Sequence, residues 1–146
     1  MISMANNDSS LREWLDKSEA YCARSEHCAS DVLQKLQQWN APTELREPII
    51  QCLYQRDFLN DDRYCHAYVH DKVAYQSWGR LKIQAGLRAL DLPEKAIREA
   101  LESIDNEQYM LNLRNLIRLR KNDAEDKRLR FLLQRGFTFD EIKKCK

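Results

Sequence analysis

The sequence predicts an all-α protein of three tandem three-helix repeats that form an elongated, curved array. Its 146 residues include only three glycines and three prolines, 32 % of them are charged, and strand-like alternation is missing. Residues 59–101 also match residues 104–146 in the class of their apolar and capping residues when shifted by 45 positions. An internal repeat of this kind is typical of helical arrays, in which each unit covers apolar surface of its neighbour.

Four segments are predicted along the chain. They are a flexible lead-in at 1–15 and three-helix repeats at 16–59, 60–104 and 105–146. No linker rich in Gly, Pro or Ser divides the repeats, so we expect a continuous array of about nine helices.

The first repeat is predicted from weaker signals than the other two. Asp16 is expected to cap its first helix, with Glu19 completing a capping box. A second helix is predicted from about Ser30 to Trp39. Pro48 is expected in the first turn of the third helix, because proline is tolerated there and not in a helix interior.

The second and third repeats carry clearer capping and packing signals. Asn60 and Asp105 are predicted N-caps at equivalent positions, because short polar side chains accept hydrogen bonds from free backbone N–H groups. Gly86 lies in a predicted helix interior, where glycine is unfavourable unless close packing needs its missing side chain. Gly136 is predicted to end one helix, and Thr138 to begin the next through a Thr-x-x-Glu capping box.

The five cysteines indicate free thiols. Their number is odd and no two form a C-x-x-C pair, which argues against a disulfide framework and suits a reducing cytosol. His66 and His70 are spaced as two zinc ligands on one helix would be, but the glutamate of the H-E-x-x-H motif is missing. A cysteine is more commonly a small buried apolar residue than a zinc ligand. Neither a metal nor another cofactor is predicted.

The chain carries no signal for a membrane or for catalysis. Its first residues lack the basic start and apolar centre of a signal peptide, and no apolar run reaches the roughly 18 residues of a membrane span, so a cytoplasmic protein is expected. P-loop, dinucleotide-binding and hydrolase motifs are missing from the sequence. Asp61 and Asp62 resemble a catalytic pair, but they fill the first helical turn after Asn60, where carboxylates are favourable. A non-enzymatic protein is predicted.

Charge is distributed unevenly along the chain. The net charge of +1 combines −3 in residues 1–60, −1 in residues 61–105 and +5 in residues 106–146. Arg114, Arg118 and Lys121 have the spacing of one helix face, and such a stripe can follow the phosphates of a nucleic acid. A solvated face neutralised by nearby carboxylates is the alternative.

The aromatic residues do not form the regular series of a base-stacking platform. Trp14, Trp39 and Trp78 are expected to act in packing.

Several separated segments resemble the RecX family, the bacterial regulators of RecA recombinase. They are Ala-Arg-Ser-Glu-His at 23–27, Phe-Leu-Asn-Asp-Asp-Arg-Tyr at 58–64, Gly-Arg-Leu-Lys-Ile at 79–83 and Arg-Phe-Leu-Leu-Gln-Arg-Gly-Phe at 130–137. The resemblance covers about residues 16–146 with the motifs in the family's order. Arg80 stands where the family often has proline, and the connection at 40–49 is longer than expected.

The resemblance implies a non-enzymatic modulator that binds the RecA–DNA filament and suppresses its ATPase, strand-exchange and co-protease activities. The implied partners are the RecA filament and single- or double-stranded DNA, bound weakly without RecA; no membrane is involved, and a monomer is expected. A DNA-binding helical protein and a helical adaptor for another protein are the alternatives. The candidate contacts are Arg24, Arg80, Lys82, Arg114, Arg118, Lys121, Lys127, Arg128 and Arg135.

Overall fold

The computed structural model describes the backbone of residues 4–145 and the side chains of residues 10–145. Within that range it consists of nine α-helices and has no strand, so the prediction of an all-α fold is confirmed. The helices are α1 (Met4–Arg24), α2 (Ala29–Gln38), α3 (Thr43–Gln55), α4 (Asp61–Gln76), α5 (Arg80–Ala89), α6 (Glu94–Glu102), α7 (Asn106–Leu119), α8 (Glu125–Gln134) and α9 (Phe139–Lys143).

The chain divides into two compact units, Met1–Tyr64 and Cys65–Lys146. The first unit contains α1, α2 and α3, the second contains α5 to α9, and α4 crosses the division between them. The boundaries of the three repeats therefore stay a prediction.

The first helix begins earlier than predicted. α1 is continuous through Asp16, so the predicted cap at that residue is wrong, and the predicted lead-in ends inside a helix. The reason is an apolar face that extends past the expected start. Leu15 is buried, Trp14 packs against the same core, and the buried Ser18 hydroxyl donates to the Trp14 carbonyl at 2.8 Å. One helix buries this face without interruption.

The third helix also begins before its predicted start. α3 starts at Thr43, so Pro48 lies in the helix interior, and its predicted place in the first turn is wrong. The Leu45 N–H donates to the Pro42 carbonyl at 3.0 Å, which sets the first turn upstream of Pro48. Pro48 is exposed, and it removes one intrahelical hydrogen-bond donor. Ile49 and Leu53, both fully buried, offset that loss by burying apolar area.

The caps predicted at Asn60, Asp105 and Thr138 are confirmed. The Asn60 side chain accepts from the Arg63 N–H at 3.0 Å, and Asp105 accepts from the N–H groups of the second and third residues after it at 3.0 and 3.4 Å. Thr138 and Glu141 form the reciprocal capping box, with distances of 2.8 and 3.1 Å. Each cap satisfies N–H groups that a helix start leaves without partners.

The same turn closes α2, α5 and α8. The residues after the C-caps take left-handed backbone angles, with φ of +60° at Asn40, +60° at Asp91 and +102° at Gly136. The following N–H then donates to the carbonyl five residues earlier. These bonds are Ala41 to Leu36 at 2.9 Å, Leu92 to Leu87 at 3.3 Å and Phe137 to Leu132 at 3.2 Å. This Schellman-type bond reverses the chain and buries the residue that follows the turn.

In the second unit, the start of α5 rests directly on the turn after α8. The Gly79 N–H donates to the Arg135 carbonyl at 2.8 Å, and the Leu81 N–H donates to the Gly136 carbonyl at 3.1 Å. A Cβ on Gly79 would lie 2.2 Å from the carbonyl carbon of Gly136, so only glycine fits. Gly86 is also closely packed, since a Cβ there would lie 2.1 Å from the Tyr68 hydroxyl. The expectation for Gly86 is thereby confirmed.

Gly79→Ala should destabilise the protein, because the added methyl group meets backbone atoms that cannot rotate away. We expect a loss of about 1–3 kcal/mol, measured by urea unfolding followed by circular dichroism. Ala85→Ser, an exposed substitution on the same helix, is the control and should change stability by less than about 0.5 kcal/mol. Equal stability of the two variants would contradict the close contact.

Candidate functional site

Arg80, one of the candidate contacts, is held inside the second unit. Its guanidinium lies over the Tyr109 ring, 4.0 Å from the centroid, and pairs with Glu141 at 3.2 Å. The Arg80 backbone N–H donates to the Tyr109 hydroxyl at 3.0 Å, and that hydroxyl donates to Glu141 at 3.1 Å. Burial above all, together with the nearby carboxylate, raises the pKa of Tyr109 above its ordinary value. Arg80 therefore has an internal partner for its charge.

Arg128 braces the connection between α7 and α8. Its guanidinium lies 3.5 Å from the Arg120 carbonyl and 3.4 Å from the Asp123 carbonyl. Lys121 lies in this connection, because α7 ends at Leu119. The predicted helical stripe that included Lys121 is therefore wrong at that residue, since helical spacing does not continue past the end of the helix.

Five of the candidate residues are exposed and extend their charges toward solvent. They are Arg24 in the first unit and Arg114, Arg118, Lys121 and Lys127 in the second. Arg118 donates to the Asn115 side chain at 3.2 Å. Within residues 10–145, none of the five forms an ion pair. Exposed, unneutralised cations of this kind are free to contact an acidic partner.

Lys82 adjoins the turn that follows Arg135, another of the candidates. A Cβ on Gly136, the residue after Arg135, would lie 2.6 Å from the Cβ of Lys82. The Lys82 ammonium lies 4.4 Å from the centroid of the Trp78 ring. Lys72, which the sequence reasoning missed, lies at the same distance of 4.4 Å from that centroid. Cation–π contacts of this length are attractive.

Arg135 extends this group toward α8. Its guanidinium donates to the Gln76 carbonyl at 2.6 Å and lies 5.5 Å from the centroid of the Phe131 ring. Arg120 lies over the same ring at 3.7 Å. We call this group the basic–aromatic cluster, and its members are Lys72, Trp78, Lys82, Arg120, Phe131 and Arg135.

Most of the positive charge in the basic–aromatic cluster is not neutralised. Arg120 pairs with Asp123 at 3.3 Å. In the part of the chain with described side chains, no carboxylate lies within ion-pair distance of Lys72, Lys82 or Arg135. Chemically, such a group can hold an anion such as a phosphate, because ammonium and guanidinium groups donate strongly to its oxygens.

The described residues offer no metal site. Across residues 10–145, no three His, Cys, Asp or Glu side chains come together in a way that could hold a metal ion. None of the five cysteines forms a disulfide. Burial, with carboxylates nearby, raises the pKa of Cys22 to about 11, so it stays protonated and unreactive near neutral pH. None of the described helices is both long and apolar enough to cross a membrane.

Sequence comparison finds relatives over most of the chain. It is 30 % identical over 127 residues to the regulatory protein RecX of Pseudomonas savastanoi pv. phaseolicola, across 82 % of this chain and 81 % of the relative. The chain belongs to the RecX family. The family model for the second three-helix domain of RecX matches residues 60–101, which contain Lys72, Trp78 and Lys82. The resemblance found in the sequence is thus confirmed.

Other RecX proteins differ from this chain in length. The regulatory protein RecX of Clostridium acetobutylicum is 29 % identical over 124 residues, which cover 77 % of this chain and 57 % of that relative. The chain thus spans about half the length of this relative. A crystal structure of RecX from Lactobacillus salivarius has the same fold, with a TM-score of 0.78 over 94 % of this chain and 95 % of that chain, at 18 % identity.

RecX proteins are regulatory proteins and not enzymes. The prediction of a non-enzymatic protein is confirmed by membership of this family.

Tyr109→Phe should destabilise the second unit, because it leaves the Arg80 N–H and the Glu141 carboxylate without their shared hydroxyl. We expect a loss of about 1–3 kcal/mol by urea unfolding. Tyr75→Phe is the matched control, since the Tyr75 side chain is 78 % exposed, and its stability should equal that of the wild type. An equal loss of unfolding free energy in both variants would show that the buried Tyr109 hydroxyl contributes nothing to stability.

Proposed function

We propose that this RecX family member regulates RecA recombinase in the cytoplasm by binding the RecA–DNA filament. It suppresses the ATPase, strand-exchange and co-protease activities of the filament. The observation that carries the proposal is the 30 % identity over about four fifths of both this chain and a regulatory protein RecX. The partner follows from the resemblance of the sequence motifs to a family of RecA regulators.

Binding alone is enough for regulation of this kind. A protein that binds one state of the filament better than another shifts the equilibrium between them by its differential affinity. The exposed cations Arg114, Arg118, Lys121 and Lys127 supply charge that DNA phosphates or acidic RecA side chains would attract. The arrangement as three tandem repeats and the monomeric state belong to this proposal.

Binding to DNA in the absence of RecA is the second candidate function. The basic–aromatic cluster supports it, because its lysines have no carboxylate partners among the described residues. A DNA binder of this type would lose affinity steeply as the salt concentration rises.

The ATPase activity of the cognate RecA on single-stranded DNA tests the proposal. Titrating the chain from far below to equal stoichiometry should inhibit ATP hydrolysis, and inhibition at low ratios would indicate that filament growth or integrity is affected. No inhibition up to equal stoichiometry, with the chain shown to be helical by circular dichroism, would overturn the proposed regulation.

Reversing the charge of Arg118, Lys121 and Lys127 to Glu should weaken filament binding about tenfold or more at low salt. All three side chains are exposed, so helicity should not change. Filament binding is measured by co-sedimentation with RecA on single-stranded DNA. The control variant reverses Lys95, Arg98 and Lys144, which are also exposed and give the same change in net charge. Equal loss in both variants would mean that only net charge matters.

A further inference from the structure

We propose that an apolar groove between α7, α8 and α9 is the docking site for an acidic amphipathic helix of a protein partner. The groove has a volume of about 580 Å³. We call it the α8–α9 groove, and its apolar residues are Ile117, Leu129, Leu132, Phe139, Ile142 and Cys145. The inference rests on the proposed function only for the source of the helix, which would then be a RecA protomer.

The floor of the α8–α9 groove belongs to the core of the fold. Leu132 and Ile142 are 1 % and 6 % exposed. Their counterparts 45 positions earlier in the chain are Leu87 and Ile97, both fully buried. Because the same apolar residues occur in both copies of the internal repeat, the floor is needed for folding and is not by itself a sign of binding.

The walls of the groove occur in only one of the two copies. Ile117, Leu129 and Phe139 form them. The counterparts of these residues 45 positions earlier are all polar, namely Lys72, Gln84 and Glu94. The same helices form in both copies, so folding of the unit does not require apolar side chains at the three positions.

Phe139 is the most exposed of the wall residues. Its side chain is 53 % exposed at the first position of α9, where the other copy carries a glutamate. Ile117 and Leu129 are half-buried. A concave apolar surface that is open to solvent and not needed for folding is typical of an interaction site.

The end of the groove formed by α9 is positively charged. Lys143 lines the groove, and its ammonium lies 5.5 Å from the centroid of the Phe139 ring. Burial above all raises the pKa of the Cys145 thiol, and the nearby Arg114 guanidinium acts against that rise, which places Arg114 at the same end. Within residues 10–145, neither Lys143 nor Arg114 forms an ion pair.

The acidic side chains of the groove lie in the first turn of α8. They are Glu125 and Asp126, where the helix start favours negative charge. Asp126 is also paired with Arg130 at 3.8 Å. Residues 106–146 carry a net charge of +5, so the surroundings of the groove attract an acidic partner. Carboxylates of that partner would face Lys143 and Arg114.

An amphipathic helix fits this chemistry better than a nucleic acid does. Two of the three wall residues, Ile117 and Leu129, are aliphatic and offer no flat ring on which a base could stack. Apolar side chains on one face of a helix recur every three or four residues and fill a groove between helices, while charged residues flank them. The volume of the groove is enough for several such side chains.

Phe139→Gln tests the apolar part of the proposal. It should weaken binding to the RecA–DNA filament about tenfold, because a few buried apolar anchors carry most of the affinity of an interface. Leu81→Gln is the matched control, since Leu81 is also 53 % exposed and does not line the groove, and it should bind as the wild type does. Binding is measured by co-sedimentation, with helicity checked by circular dichroism. Equal affinities of the two variants would overturn the site.

Lys143→Gln tests the acidic character of the helix. Filament binding should weaken about threefold at low salt and recover toward that of the wild type at high salt, because salt screens exposed charges. The loss in Phe139→Gln should persist at high salt, since burial of apolar area is not screened. Lys95→Gln removes the same charge from an exposed position on α6 and is the control. An equal loss in both lysine variants would overturn an acidic partner.

Two further measurements exclude other occupants of the groove. Phe139→Gln should leave the affinity of the chain for a dye-labelled oligodeoxythymidylate unchanged, and a loss of that affinity would mean that the groove holds nucleic acid. Sedimentation equilibrium should show a monomer for both the wild type and the variant. Self-association of the wild type that Phe139→Gln abolishes would make a second copy the occupant. Either of these results would overturn the proposal.

Failure of the groove and failure of RecA regulation are distinguishable. Inhibition of the RecA ATPase with filament binding that Phe139→Gln leaves unchanged would overturn the groove and support the regulation. If the wild type neither binds nor inhibits RecA, the proposed function is overturned, and the groove is then tested with a synthetic helix of about 18 residues, long enough to be helical in water.

The synthetic helix carries leucines on one face and glutamates beside them, and a second peptide has lysines in place of the glutamates. Binding is measured by fluorescence anisotropy of the dye-labelled peptides. Preference for the glutamate peptide that is lost in Phe139→Gln would support the groove. No binding of the glutamate peptide, or equal binding of both peptides, would overturn it.

Discussion

The second unit depends on a contact between two stretches of backbone, at Gly79 and at Gly136. Side chains usually keep helices 8–10 Å apart, but here a helix start meets a turn through main-chain hydrogen bonds. That approach sets the position of Trp78 just before Gly79 and of Lys82 just after it. Ile83 and Leu87 of α5 are buried, as is Leu132 of α8. The contact between Gly79 and Gly136 thus positions both the buried residues of α5 and α8 and the exposed side chains beside it.

The basic–aromatic cluster depends on this backbone contact, because its members come from separate helices that the contact brings together. Lys72 lies on α4, Lys82 on α5 and Phe131 on α8, with Arg135 as the residue that ends α8. Arg135 serves both purposes, since its carbonyl accepts from Gly79 and its guanidinium holds the last carbonyl of α4. A cation at a helix C-terminus is also favoured by the helix dipole. Structural and binding roles are therefore combined in one side chain.

Local signals in the sequence predicted the helix ends well, because a cap depends on residues within one turn. Asn60 and Thr138 are examples. The start of α1 was predicted too late. Asp16 is a good local cap residue, but the helix continues through it because the apolar face that includes Trp14 and Leu15 packs against the core. The sequence did not predict the basic–aromatic cluster, for a different reason. Lys72 meets Trp78 through a loop with a left-handed residue, and neither charge nor spacing along the sequence shows that geometry.

The buried hydrogen-bond network around Tyr109 has a consequence for the order of folding. Tyr109 lies on α7, Arg80 begins α5, and Glu141 lies on α9. Because chains are made from the amino terminus, the second unit cannot complete this network until Glu141 has been synthesised. Until then, the hydroxyl of Tyr109 and the guanidinium of Arg80 lack their shared acceptor. The first unit, whose core uses residues from α1 to α3, can mature earlier during translation.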